Sequence, residues 1–379
     1  MKKSLLALSL AAALSGSAFA ADVQVYGLID LSLSYVHSDS DGWGSDSKFT
    51  MENAREFGSR FGIKGSEDLG NGYKVGFVLE NGFKADTGEF DQGGKMFGRE
   101  SHLDLYTPYG KFAFGSMPVY GSVLGADGLF RAIDPLFANY TEAFGSGFVT
   151  ASSWTRVDNA ISYVSPTFAG FTGYAMYSFK NSVSSVGDEG TSSTDRYGSL
   201  ALRYQGASTE IVFVADTTIY GSDRTGDANS NNGYTYTLGG NYTFTNGLKL
   251  IAFGQYFKDQ ELRATPRAGV VASGLTNFLT ESGFKNTDYG FVDGYGLSIG
   301  ANYPLFGGVI KGQLAYRDMD NQNDVDFTRY MASVGYDYQL SKRTAVYVMG
   351  GYTQEKIEYK GEDVTPNGYE ITFGTVHRF

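Results

Sequence analysis

After Ala21 the chain contains no run of eighteen apolar residues, so no single helix of it is long and apolar enough to cross a bilayer. Large apolar residues recur instead at every second position over segments of about ten residues, the period of a strand with two unlike faces. Val23, Val25, Gly27, Ile29, Leu31, Leu33 and Tyr35 alternate with Gln24, Tyr26, Leu28, Asp30, Ser32 and Ser34. The pattern returns in Phe61 and Ile63 against Arg60 and Lys64, and in Tyr73, Val75, Phe77, Leu79 and Phe83 against Lys74, Glu80 and Lys84. It returns again in Phe171 to Phe179, Tyr234 to Phe244, Tyr295 to Tyr303, Ile310 to Tyr316, Tyr330 to Tyr338 and Tyr369 to Phe373. We count about sixteen such segments, linked alternately by short turns (EDLGNG, TPYG, SPTFAG, TNG, PLFGG, LSKR) and by long polar loops. The polar run HSDSDGWGSDSK is read as one exposed loop.

Composition sharpens the reading. An aromatic content of 15% stands beside a mean hydropathy of −0.23 and 51 glycines, which suits β-structure that is apolar on one face only. A strand whose apolar face meets no packed centre can lie in lipid, provided every backbone group is paired, and that requires a closed cylinder. The expected fold is all-β: a transmembrane antiparallel β-barrel of about sixteen strands, wide enough for an aqueous lumen. A secreted β-sandwich is the competing structure, but it leaves polar inner faces unexplained. No composition shift marks a second domain.

Residues 1–20 are a processing segment. Lys2 and Lys3 precede the apolar run Leu5–Leu14, and Ala18-Phe19-Ala20 is a small-x-small cleavage site. The barrel domain is then 21–379, and loss of the two lysines takes the net charge from −11 to −13, which argues against nucleic acid as a partner. With no cysteine there are no disulfides, so stability must come from packing, a closed hydrogen-bond network or oligomerisation.

Between Ser116 and Arg156 the alternation stops over far more residues than an ordinary connection. The segment holds Leu124, Leu129, Phe130, Ile133, Leu136 and Phe137, too many apolar residues to hang in water, together with Asp127, Asp134 and Glu142. It is expected to fold inward and narrow the pore. The strand after FGRES alternates poorly: with Arg99 inward, Glu100, His102 and Asp104 would face out.

VYGLIDLSLSYV, SRFGIKGSEDLGNG, FGRES, RVDNAISYVSPTFAGF and the terminal GTVHRF together resemble the trimeric general porins of Gram-negative outer membranes. That resemblance implies a sixteen-stranded barrel, a homotrimer, a third loop folded into the lumen, and a constriction where a ladder of arginines faces acidic residues of that loop. Arg60, Arg99 and Arg156 match the ladder positions, with Lys64 beside them, and Asp127, Asp134 and Glu142 are the acidic counterparts. SMPVYG stands where the family has a further arginine. The implied function is passive diffusion of small hydrophilic solutes and ions through the outer membrane, with outer-membrane lipid and lipopolysaccharide as surroundings, and without catalysis or cofactor. Phe379, a terminal aromatic, is a candidate handle for the barrel-insertion machinery, by strand addition. An outer-membrane barrel enzyme and a surface adhesin are the alternatives.

Other motifs fare worse. Asp39, Asp41, Gly42, Gly44 and Asp46 lack the bidentate Glu of a calcium loop. His37, His102 and His377 have no metal-ligand spacing. GYGLSIG lies inside a strand pattern without the helix a dinucleotide fingerprint needs, so it reads as glycine in a barrel wall.

Overall fold

The computed structural model describes residues 22–40, 44–136, 143–151, 155–182, 185–223, 231–261, 291–322 and 324–379. Segment 1–20 lies outside these residues, as do 224–230, 262–290, Phe137 and Glu142. Among the described residues, eighteen strand segments form one antiparallel sheet. They are β1 (Asp22–Ser40), β2 (Gly44–Asn53), β3 (Arg60–Gly70), β4 (Tyr73–Gly82), β5 (Glu100–Thr107), β6 (Gly110–Pro118), β7 (Arg156–Val164), β8 (Phe171–Ser178) and β9 (Arg196–Gln205). Then follow β10 (Thr209–Ile219), β11 (Gly233–Thr243), β12 (Lys249–Glu261), β13 (Phe291–Leu305), β14 (Gly308–Asn321), β15 (Val325–Gln339), β16 (Thr344–Tyr359), β17 (Glu362–Val364) and β18 (Asn367–Arg378). β2 and β3 are two halves of one staff against β1, as β17 and β18 are against β16, so the cylinder has sixteen staves. Pairing of β1 with β18 closes it and leaves no open edge. Phe379 extends the closure: its N–H donates to the Gly27 carbonyl and Gly27 N–H to its carbonyl, both at 3.1 Å.

The two faces meet different surroundings. Outward stand Leu200, Leu238, Leu297, Ile299, Leu314, Ile371 and Phe373, each at least 48% exposed to whatever surrounds the cylinder. Inward, on the same strands, stand Ser199, Thr237, Ser298, Gln313 and Thr372, all buried. Apolar groups outside and polar groups inside is the reverse of a water-soluble sandwich and the arrangement of a lumen within a membrane.

Two local readings need correction. The run His37–Lys48 is not a loop: β1 continues to Ser40 and β2 begins at Gly44, with Val36 opposite Lys48 and His37 opposite Ser47. Ladder hydrogen bonds carry this polar hairpin past the point where alternation of hydrophobicity ends. In β5, Glu100, His102 and Asp104 face inward, opposite Glu80, Val78 and Gly76, while Leu103 faces out beside Phe77 and Phe114. Arg99 also points inward because it sits in the bend before β5, where strand alternation does not govern it.

Candidate pore constriction

The connection after β6 turns into the cylinder. Its apolar residues supply the reason: Val119, Tyr120, Leu129, Phe130, Ile133, Phe148 and Val149 pack with inward-facing Ala160, Met176, Val212, Val214, Phe253, Ala315 and Met331 in one buried cluster. Leu136 and Phe144 join a second, with Leu28, Tyr347 and Met349. Full burial of each such side chain contributes about 1.5–3 kcal/mol, enough to hold a long segment whose described residues form only two short 3-10 turns, Leu129–Ala132 and Ser146–Val149.

A backbone lying inside a barrel needs partners for its carbonyls, and the wall provides them. Asn241 donates to Ala132 O at 2.8 Å, Gln313 to Phe144 O at 2.7 Å, Ser333 Oγ to Ala143 O at 2.6 Å and Arg317 Nη1 to Phe148 O at 2.9 Å. Gln255 Oε1 accepts from Ala151 N at 2.9 Å. Lys311 bridges Asp337 and Glu56 and reaches Leu136 O at 3.4 Å. These residues sit on β11, β12, β14 and β15, so residues 132–151 of the loop are held by that arc of the wall, while its start is held by β7 and β8, where Tyr120 Oη donates to Tyr163 O and Ala175 O, both at 3.1 Å. Beneath it, Glu355 on β16 accepts from both Arg317 and Arg329, all three nearly fully buried.

Across the lumen, on β3, β4, the bend before β5 and β7, lies the basic group. Arg99 Nε donates to Glu80 Oε1 at 2.6 Å, Arg60 Nε stands 3.5 Å from Glu80 Oε2, and Tyr26 Oη donates to the same oxygen at 3.0 Å. Arg156 Nε donates to the backbone carbonyl of Arg99 at 2.9 Å, which brings the third guanidinium beside the first two. Lys64 is exposed, its Nζ 4.9 Å from the Tyr26 ring centre. Lys95 pairs with Asp158 at 2.8 Å, and Ser116 Oγ donates to that carboxylate.

The structure thus brings Arg60 and Arg99 onto Glu80 and Arg156 onto the backbone carbonyl of Arg99, with Lys64 four residues from Arg60 on the same face of β3. The described acidic loop residues have their own partners. Asp127 pairs with Lys111 of β6, and Asp134 is buried and accepts from Ser146 Oγ at 2.7 Å. Glu142 lies outside the described residues. Among the described residues of the loop, Arg131 is an exposed charge, donating to Val123 O and Gly125 O. The wall groups that grip the loop (Asn241, Gln255, Gln313, Arg317, Ser333) were not singled out from sequence. Their signal was their place on the polar face of alternating strands.

A profile described as Gram-negative porin matches residues 7–358. An outer membrane porin protein of Bordetella pertussis is 29% identical, with 93% of this chain and 94% of that protein covered. Outer membrane porin protein 32 of Delftia acidovorans is 31% identical over 92% of this chain and 88% of its own length. Among solved structures, an anion-selective porin from Comamonas acidovorans superposes with a TM-score of 0.68 at 24% identity, covering 95% of this chain and 100% of that one, a likeness of fold. With its alternating strands closed into sixteen staves around a polar lumen, the chain belongs to the Gram-negative porin family and is a protein of the outer membrane.

Proposed function

We propose that the cylinder is a water-filled channel for passive diffusion of small hydrophilic solutes and ions, filtered where the inward loop faces Arg60, Arg99, Arg156 and Lys64. The observation that carries this reading is the linked group of Arg60 and Arg99 on Glu80 and Arg156 on the Arg99 carbonyl, on the arc opposite the wall side chains that hold residues 132–151. Charged side chains in a narrow opening with low-dielectric walls act more strongly on a passing ion than the same charges in bulk water. The loop supplies the steric half of the filter. Asp127 and Asp134 take part as the loop's own charges, Asp127 by neutralising Lys111 and Asp134 by holding the loop's shape through Ser146; Glu142 is proposed as a further acidic member. The chain works without catalysis and without a cofactor.

The reading extends to assembly. Removal of residues 1–20 on export, a homotrimer set among outer-membrane lipid and lipopolysaccharide, and recognition of the Phe379 terminus by the insertion machinery are proposed together. OmpT of Vibrio cholerae, a solved structure of similar fold, has a trimer form.

Arg60→Glu is expected to displace the reversal potential of the purified protein in a salt gradient toward cation preference, because it replaces one of three positive groups with a negative one. A reversal potential that does not move with this substitution, in a protein that still conducts, would remove the basic wall from the filter.

A further inference from the structure

The glycines of GYGLSIG have a use that neither a nucleotide site nor a plain barrel wall explains. Gly296 and Gly300 point inward on β13, alternating with the outward Tyr295, Leu297 and Ile299. A Cβ on Gly296 would stand 1.5 Å from Val149 O and 2.7 Å from its carbonyl carbon. Both atoms belong to the inward loop. On Gly300 it would meet the Pro135 ring at 2.5 Å, along with the backbone of β14. Three staves further on, Gly351 of β16 would place a Cβ 2.0 Å from Ala143 O, again a loop backbone atom. Neither Gly296 nor Gly351 has the left-handed backbone that would itself demand glycine.

The positions are not scattered. Gly296 is paired directly with Gln255 on one side and Arg317 on the other, the two residues that hold Ala151 and Phe148. Gly351 is opposite Ser333, which holds Ala143. Each glycine therefore lies beside an anchoring side chain, and the missing Cβ lets the loop backbone come down onto the wall within reach of that anchor.

We propose that Gly296 and Gly351 are seats that set how far the loop stands off the wall, and so set the bore of the channel. They are positioning residues: they touch no solute and act through the loop. This inference rests on the channel reading above. A Cβ at Gly296 needs the Val149 carbonyl oxygen to retreat by about 2 Å to reach an ordinary contact, and the space into which the loop can retreat is the lumen.

The test is single-channel conductance of Gly296→Ala and of Gly351→Ala, each purified, refolded and checked for a closed barrel by resistance to unfolding in detergent. Gly350→Ala serves as the control, since a Cβ there meets nothing within 4 Å. Both seat variants are expected to lose conductance relative to wild type and to exclude neutral sugars that wild type passes, while Gly350→Ala matches wild type. Conductance in both folded seat variants equal to or above that of Gly350→Ala would overturn the proposal. Should Gly296→Ala fail to close, Gly351→Ala decides alone, because its two sites of crowding are also loop atoms. A wild-type protein that passes no current at all would defeat the channel reading rather than the seats.

Discussion

Glu355→Ala is expected to destabilise the barrel by about 3–5 kcal/mol, the usual cost of removing one partner from a buried ion pair. Glu355, Arg317 and Arg329 are each about 2% exposed, and the carboxylate takes one guanidinium on each oxygen. Without it two cations remain side by side in a dry pocket beneath the loop. Arg317 also donates to Phe148 O, so its displacement loosens the loop as well as the wall. Equilibrium unfolding of the micelle-bound protein in denaturant would read the first effect, and added noise in the open-channel current the second. Glu355→Gln keeps an acceptor and should cost less. Replacing all three residues with apolar ones of similar volume should restore much of the stability, since the desolvation cost of the ions goes with them. Unfolding of Glu355→Ala indistinguishable from wild type would mean that the pocket is wet and the triad adds nothing.

Leu297→Arg is expected to cost about 2–4 kcal/mol, the range for a cation placed on the lipid face near the bilayer midplane. Leu297 lies near the middle of β13, is 48% exposed and faces outward between Tyr295 and Ile299. Its substitution introduces no clash within the protein, so any penalty reports the surroundings. On the opposite face Lys64 already carries a charge in the exposed lumen-side position, and Lys64→Gln is expected to leave unfolding unchanged within about 0.5 kcal/mol. Folding efficiency into lipid vesicles, compared for the two variants, checks the asymmetry. Equal tolerance of charge at both positions would contradict the assignment of faces.

Strand number, closure and the inward path of the 116–156 segment were legible because period-two alternation is a direct imprint of two unlike solvents. The alternation fails where one solvent bathes both faces. At His37–Lys48 both sides are polar, so nothing in the residue pattern separates a strand hairpin from a loop, and only the ladder with β1 reveals it. At Arg99 the misreading had another cause. Strand parity was extended one residue into a bend, which inverted the assignment of Glu100, His102 and Asp104. The basic group was reached through resemblance at Arg60, Arg99 and Arg156, whereas the carboxylate that Arg60 and Arg99 share, Glu80, stands in the sequence only as a polar-face residue between Lys74 and Lys84, as fit for a salt bridge as for selectivity. The grip on the loop was least legible. It depends on carbonyls of Ala132, Ala143, Phe144 and Phe148, whose backbone positions no side-chain pattern encodes, and on glycines whose role is the absence of an atom.

The central claim, that lipid lies outside this cylinder and a filtered column of water within, is met most directly by recording the purified protein in a planar bilayer. The account predicts discrete current steps whose size grows with salt concentration and which pass small neutral sugars but not larger ones. A protein that inserts, resists unfolding in detergent and yet gives no steps would show a lumen closed by its own loop, and would contradict it.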